Sequence, residues 1–165
     1  MREIKIDKVT LNIGCGDDKD KMEKASELLK YLTERKPILT KSKRRSTFGI
    51  PKGNPIGVMV TLRGAKALEF FKRSLEAVEK KMKSSQLDDE GNFSLGIREY
   101  IDIGGAKYQH TVGMLGLNVT VTLQRAGFRI KRRRIQQRKI PVKHKINKEE
   151  VVNWLKNNFG VDVVE

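Results

Sequence analysis

The sequence predicts an α+β fold, a mainly antiparallel one-sided sheet with helices packed on one face, in a single domain spanning residues 1–165. Two observations predict it. Short segments alternate apolar and polar residues with a period of two, as half-buried strands do, and between them run longer segments whose apolar residues step by three and four, as helices do. A chain of 165 residues is long enough for one real hydrophobic core and cramped for two.

Taken in order, Val9, Leu11 and Ile13 alternate with Thr10, Asn12 and Gly14 and predict the first strand. Asp17 and Asp18 open a helix with Met22, Ala25, Leu29 and Leu32 on one face, and Pro37 stops it. Ile38 to Lys43 reads as a weaker strand. A Pro- and Gly-rich connection then leads to Val58, Val60 and Leu62, alternating with Met59, Thr61 and Arg63, and Gly64 breaks that strand. A longer helix follows, with Leu68, Phe71, Leu75, Val78 and Met82 as its apolar stripe. Ser84 to Ser94 reads as a polar loop with Gly91 at an exposed, flexible tip, and Ile97 to Ile103 as a strand. Leu117 to Gln124 alternates most cleanly, with Leu117, Val119, Val121 and Leu123 opposite Asn118, Thr120, Thr122 and Gln124. Phe128 to Ile140 is too basic for a core element. It reads as part of a basic extension at about 127–146, an extension or hairpin ordered only against a partner. The last helix, at about 148–159, begins at a capping box from Asn147 to Glu150, carries Val151, Trp154, Leu155 and Phe159 inward, and ends at Gly160.

Charge narrows the function. The chain has 35 Lys and Arg against 20 Asp and Glu, a net charge of +15, which marks a polyanionic partner. Between Ile103 and Lys148 there is no acid, and that window holds Lys107, Arg125, Arg129, Lys131, Arg132, Arg133, Arg134, Arg138, Lys139, Lys143, Lys145 and Lys148. A second acid-free run contains Arg35, Lys36, Lys41, Lys43, Arg44, Arg45 and Lys52. One such cluster reads equally well as a solvated face, whereas two without compensating acids favour nucleic acid. No apolar run approaches a spanning helix and no signal-peptide core follows Met1, so the expected location is cytoplasmic, with no membrane partner.

Enzyme chemistry finds little support. Cys15 is the single cysteine, His110 and His144 stand alone, and no metal or cofactor is expected. The turn Gly14-Cys15-Gly16 before a helix suggests a phosphate cradle, but Lys19 occupies the place of the third glycine, and Asp17 and Asp18 would repel a phosphate. Asp88, Asp89 and Glu90 read as a solvated turn. A better candidate is the polar face of the sheet, with Thr10, Asn12, Thr61, Arg63, Thr120, Thr122 and Gln124. Threonine is an ordinary exposed strand residue, whereas asparagine is depleted in strands, so Asn12 points harder at function. Aromatics are 6% of residues, and Phe48 and Phe128 are the surface candidates for stacking. That scarcity favours folded RNA recognised by shape and backbone.

These segments resemble a known family, the universal large-subunit ribosomal protein numbered five in bacterial and archaeal nomenclature. The resemblance is carried by KVTLNIGCG from Lys8, the Lys36-Pro37 pair with its basic run, NPIGVMVTLRGAKALEFF from Asn54, and GNFSLGIREYIDI from Gly91. GLNVTVTLQRAGFRIKRRR and KHKINKEEVVNWL look like the archaeal and eukaryotic branch. The resemblance implies a structural protein of the ribosome that binds 5S rRNA in the central protuberance and also contacts large-subunit rRNA. It places 5S rRNA contacts at Asn12, Arg35 and Thr61, and it implies that the loop Lys83 to Ser94 approaches P-site tRNA and a small-subunit bridge protein, with Lys83, Ser84, Ser85, Gln86 and Asn92 facing the tRNA. Arg35 stands where many members have Gln, which would exchange a neutral amide contact for a charged one, and Gly104 stands where Pro is common. The expected RNA-binding set is thus Thr10, Asn12, Arg35, Lys36, Lys41, Lys43, Arg44, Arg45, Phe48, Thr61, Arg63, Arg129, Lys131, Arg132, Arg133 and Arg134. The alternatives are a non-ribosomal RNA chaperone or RNA-binding module and, from a different class, an RNA-processing enzyme.

Overall fold

The sheet is built around β1, Ile4–Gly14, whose alternating Val9, Leu11 and Ile13 are all buried. In this computed structural model residues 1–45, 47 and 49–164 are described. The remaining elements are α1 (Lys19–Thr33), β2 (Ile38–Lys41), β3 (Pro55–Leu62), α2 (Ala65–Ala77), β4 (Lys81–Lys83), β5 (Phe93–Ile97), β6 (Leu117–Arg125), α3 (Lys148–Phe159) and β7 (Asp162–Val164). Five strands pair in the order β2-β3-β1-β6-β5, every neighbour antiparallel. A second, two-stranded sheet joins β4 to β7 in parallel.

Both long helices cover the apolar face, α1 against β3 and α2 against β1 and β5. α1 starts where the sequence predicts, because the Asp18 carboxylate accepts from the Lys21 N–H at 3.1 Å and so satisfies an orphan amide of the first turn. Glu34, at φ 54°, ends it before Pro37. α3 packs Val151 and Leu155 into the core and sets the Phe159 ring edge-on to Phe71, centroids 4.9 Å apart. Along β1, β3 and β6 the residues that alternate with the buried ones are half-buried or exposed, so the predicted one-sided α+β layering is what the chain adopts.

Several segments differ from the sequence reading. The stripe drawn through α2 holds for Phe71 and Leu75, but Leu68 is 42% exposed, and the buried positions are Ala67, Phe70, Phe71, Ser74 and Leu75. The helix stops at Ala77 because Glu79 and Lys80 turn left-handed, at φ 52° and 56°, which sends Met82 into the core from β4 rather than from a helix. The strand expected over Ile97 to Ile103 instead ends at Ile97. β5 pairs from Phe93 with Val121 to Ile97 with Leu117, where β6 begins, and the chain then turns at the buried Tyr100, whose hydroxyl accepts from the Gln109 N–H at 2.8 Å. The strand read to Lys43 ends at Lys41, and β7 had no counterpart in the sequence reading.

A further difference is the basic segment after β6. In place of an extension or hairpin it forms short 3-10 turns, at Phe128–Lys131 and Val142–His144, folded back on the end of the sheet with Ile146 buried. What holds it is Arg125, a guanidinium only 5% exposed in the apolar layer. Its Nη1 donates to the His144 and Lys145 carbonyls at 3.4 and 3.1 Å, and its Nη2 meets the Glu150 carboxylate at 2.8 Å. Glu150 is also the return member of the capping box, accepting from the Asn147 N–H at 3.1 Å. The hydrogen bond from Arg125, followed by that from the Asn147 amide, holds the Glu150 carboxyl below its ordinary pKa.

Arg125→Met should therefore strip two partly buried carbonyls and a carboxylate of their donor and destabilise the protein by about 1–3 kcal/mol in denaturant titration. A folded pKa below the unfolded one contributes stability that is present above the ordinary carboxylate range and lost as pH falls through the folded value. Glu150→Gln should accordingly lose less stability than wild type on acidification from roughly pH 5 to pH 3. Parallel acid profiles for the two proteins would refute that role for Glu150.

Candidate nucleic-acid interface

Strand register turns the polar face into ordered rows. Thr10 pairs with Thr61 on one side and Thr120 on the other, and Ser94 lies beyond Thr120, a continuous row of hydroxyls across β3, β1, β6 and β5. One step along the strands, Met59, Asn12, Asn118 and Gly96 form the next row. Asn12, Asn118 and Ser94 are exposed, and the threonines are half-buried by their neighbours. Asn118 and Ser94 are outside the expected RNA-binding set, and only the register sets them beside Asn12 and Thr120. Hydroxyls and amides at strand spacing match ribose 2′-hydroxyls and base edges, and the face carries no acid along these rows.

Cations bracket this neutral strip at both ends. β3 begins at Pro55, beyond its pairing of Gly57 with Gly14, and Lys41 of β2 pairs with that Pro55, so Lys41, Lys43, Arg44 and Arg45 lie toward the Gly14 end of β1, all exposed. Arg125 pairs with Ile4 at the other end of β1, from which the arm with Arg129, Arg133 and Arg134 departs. Arg35 and Lys36 sit exposed in the turn before β2, and Arg63 is exposed just beyond β3. Among the described residues none of these surface cations has an acidic partner. Phe48 lies outside the described residues.

Arg132 and Lys131 behave differently from their neighbours. Arg132 is paired at 2.9 Å with the nearly buried Asp7, in the irregular register between Ile6 and Lys8, and donates at 2.9 Å to Gln124. It fastens the arm to the sheet. Lys131 bonds Glu90 at 2.9 Å and Lys148 bonds Asp89 at 2.9 Å, so the acidic turn is tied to the arm and to the start of α3.

That pairing corrects the reading of Lys83 to Ser94 as a polar loop with a free tip. Leu87 is buried and bridges Phe93, and Gly91 is buried against Ile146. The Gln86 side chain accepts from the Lys83 N–H at 3.1 Å and the Asn92 amide donates to Asp88 at 3.2 Å, so both amides are committed within the loop. Lys83, Ser84 and Ser85 remain exposed and face outward.

Nucleophile and phosphate-cradle chemistry have no footing. Cys15 is buried, its thiol pushed up in pKa by burial and aimed at the Ile13 and Lys21 carbonyls. The Asp18 carboxylate fills the N-terminus of α1, where a phosphate would bind. No cluster of metal-ligating side chains occurs among the described residues.

Comparison with known proteins identifies the family. A model of ribosomal protein L5 matches residues 1–50, and the model of the C-terminus of the same ribosomal family matches residues 55–154. The large ribosomal subunit protein uL5 of Nanoarchaeum equitans is 49% identical over 99% of this chain and 98% of its own length. The proteins of the same name from Sulfurisphaera tokodaii and Methanobrevibacter smithii are 46% and 44% identical over at least 99% of this chain and 94% and 97% of theirs. The chain belongs to the ribosomal protein L5 family. It is a ribosomal protein of the large subunit, a structural part of the cytoplasmic ribosome and not an enzyme. Within this L5 member the polar rows, the two cation clusters and the docked loop are the surfaces left for partners.

The docking of the loop is testable at Gly91, which sits at φ +83° and where an added Cβ would lie 2.9 Å from Ile146. Gly91→Ala should cost roughly 1–3 kcal/mol in thermal or chemical unfolding, through backbone strain and overpacking together. Wild-type stability in that variant would mean that the loop is not held on the arm.

Proposed function

We propose that this L5-family protein holds 5S rRNA in the central protuberance of the large subunit, reading the RNA with the polar face of its sheet and tracking phosphates with the flanking cations. The observation that carries the reading is the pair of neutral rows, with Asn12, Thr10 and Thr61 at their centre, lying between acid-free basic clusters. The division of labour is physical. Cations supply salt-dependent affinity for any RNA, while uncharged donors and acceptors fixed on strands select a particular backbone geometry. Arg35 and Lys36 extend the same track beside β2, and large-subunit rRNA is engaged by the arm through Arg129, Arg133 and Arg134. The whole chain acts as one RNA-binding unit. Lys83, Ser84 and Ser85, the outward part of the docked loop, approach P-site tRNA and a small-subunit bridge protein.

Two sets of variants separate selection from charge. Neutralising Lys41, Lys43, Arg44 and Arg45 to Gln should weaken all RNAs and flatten the dependence of log affinity on log salt by up to roughly 0.7–0.9 for each phosphate no longer neutralised. Asn12→Ala with Thr61→Ala removes no charge but deletes hydrogen bonds worth about 0.5–1.5 kcal/mol each, more where an RNA group is left unpaired. Its 5S rRNA affinity should fall about tenfold with an unchanged salt slope and unchanged binding to unrelated RNA. If the folded double variant binds 5S rRNA like wild type, the polar face is ordinary strand surface.

A further inference from the structure

Between the arm and the acidic turn lies a cleft of about 730 Å³, within the size range of small-ligand sites. Its apolar lining is made by Phe128, Ile140, the exposed Val142 and the buried Ile146. The Phe128 ring is fixed by an edge-on contact with His144, centroids 5.7 Å apart, and His144 is fixed in turn by a 2.9 Å hydrogen bond to the Ala126 carbonyl. Around the rim stand Lys131, Arg138, Lys139 and Lys145, with Glu90 as the one acid among the lining residues, already paired with Lys131. Neither the polar sheet face nor the salt bridge to Asp7 uses any of these groups. An apolar lining with a preset aromatic ring, inside a ring of cations, suits a ligand that is flat and uncharged in one part and anionic in the next. A nucleotide has that construction: the base has a π-face for the lining, and its phosphates meet the rim.

We propose that this cleft takes one unstacked nucleotide of an RNA strand, its base against Phe128, Ile140 and Val142 and the adjoining phosphates on Arg138, Lys139 and Lys145. A strand is favoured over a free nucleotide because the cations continue beyond the cleft along the arm to Arg129, Arg133 and Arg134, exposed and without acidic partners among the described residues. This inference rests on the RNA-binding reading above and assigns the arm a base as well as phosphates. Such a site rewards a bulged residue, whose base is already free of its neighbours, over a fully paired duplex.

The test uses the full chain and two hairpin RNAs, one with a single bulged adenosine and one with an abasic sugar at the bulge, which present the same phosphates. Wild type should bind the adenosine hairpin at least about fivefold more tightly, the range expected for one stacked base. Val142 is 81% exposed, so Val142→Glu should keep the wild-type unfolding temperature while abolishing the difference between the hairpins. A 4-thiouridine at the bulge should photo-crosslink within residues 128–146. Equal binding of the two hairpins by wild type, a crosslink elsewhere, or stronger displacement by an acidic peptide with one aromatic residue than by the adenosine hairpin would each overturn the assignment. If 5S rRNA still binds in those cases, the cleft proposal falls alone, and if wild type binds neither 5S rRNA nor the hairpins, the underlying reading falls with it.

Discussion

The buried guanidinium of Arg125 anchors the return of the most highly charged part of this chain, while the pair of Arg132 with Asp7 fastens its start. The segment that follows Arg125 contains many cations and no acid, and its self-repulsion opposes any compact form. Arg125 reverses the balance by reaching under the arm from the core layer, where it bonds the His144 and Lys145 carbonyls and the Glu150 carboxylate. Because Glu150 also caps α3, the end of β6, the return of the arm and the start of the last helix share one polar junction. The cleft lining, the docking of Gly91 on Ile146 and the contact of Phe159 with Phe71 all lie downstream of it. A buried ion that answers several partners at once also specifies geometry, since no single shift of register would satisfy all of them.

The two faces of the sheet answer different demands. Apolar residues at alternate positions of β1, β3 and β6 are buried almost completely, so the strands are rigid and their opposite faces inherit that rigidity. Asparagine and threonine placed on such a support lose little freedom when they meet a partner, and their donors and acceptors keep fixed spacing. The face is uncharged along the two rows. Its contribution is therefore sensitive to shape and insensitive to salt, whereas the bracketing clusters have the opposite sensitivities.

Much of this was legible in the residues. Period-two alternation located β1, β3 and β6, Asp18 and the Asn147 box located the starts of α1 and α3, and alternation alone set Thr10, Asn12 and Thr61 on the face away from the helices. What the sequence hid was decided by tertiary pairing. Glu79, Lys80 and Lys81 are good helix formers, yet pairing of β4 with β7 pulls them out of α2. β5 ends at Ile97 because β6 offers partners only from Leu117 onward, a fact that no local pattern in Ile97 to Ile103 contains. Arg125 looked like one more cation in a basic run, and only its position opposite Ile4 on the covered side reveals its role. Similarly, Arg132 was indistinguishable from Arg133 until the irregular register at Asp7 placed a carboxylate beside it.

The parallel pairing of β4 with β7 bears on how the protein is made. Lys81 to Lys83 cannot find their partners until β5, β6, the arm and α3 have all been synthesised, because Asp162 to Val164 come after every one of them. Non-local pairings of this kind close late and slowly. A nascent chain that stops within the arm thus presents Met82 and the end of α2 uncovered, together with a basic tail that Glu150 is not yet there to anchor. Such an intermediate is both sticky and strongly cationic in a compartment full of RNA. The order of elements along the chain therefore makes arrival of the last strand the event that separates a finished subunit component from an aggregation-prone fragment.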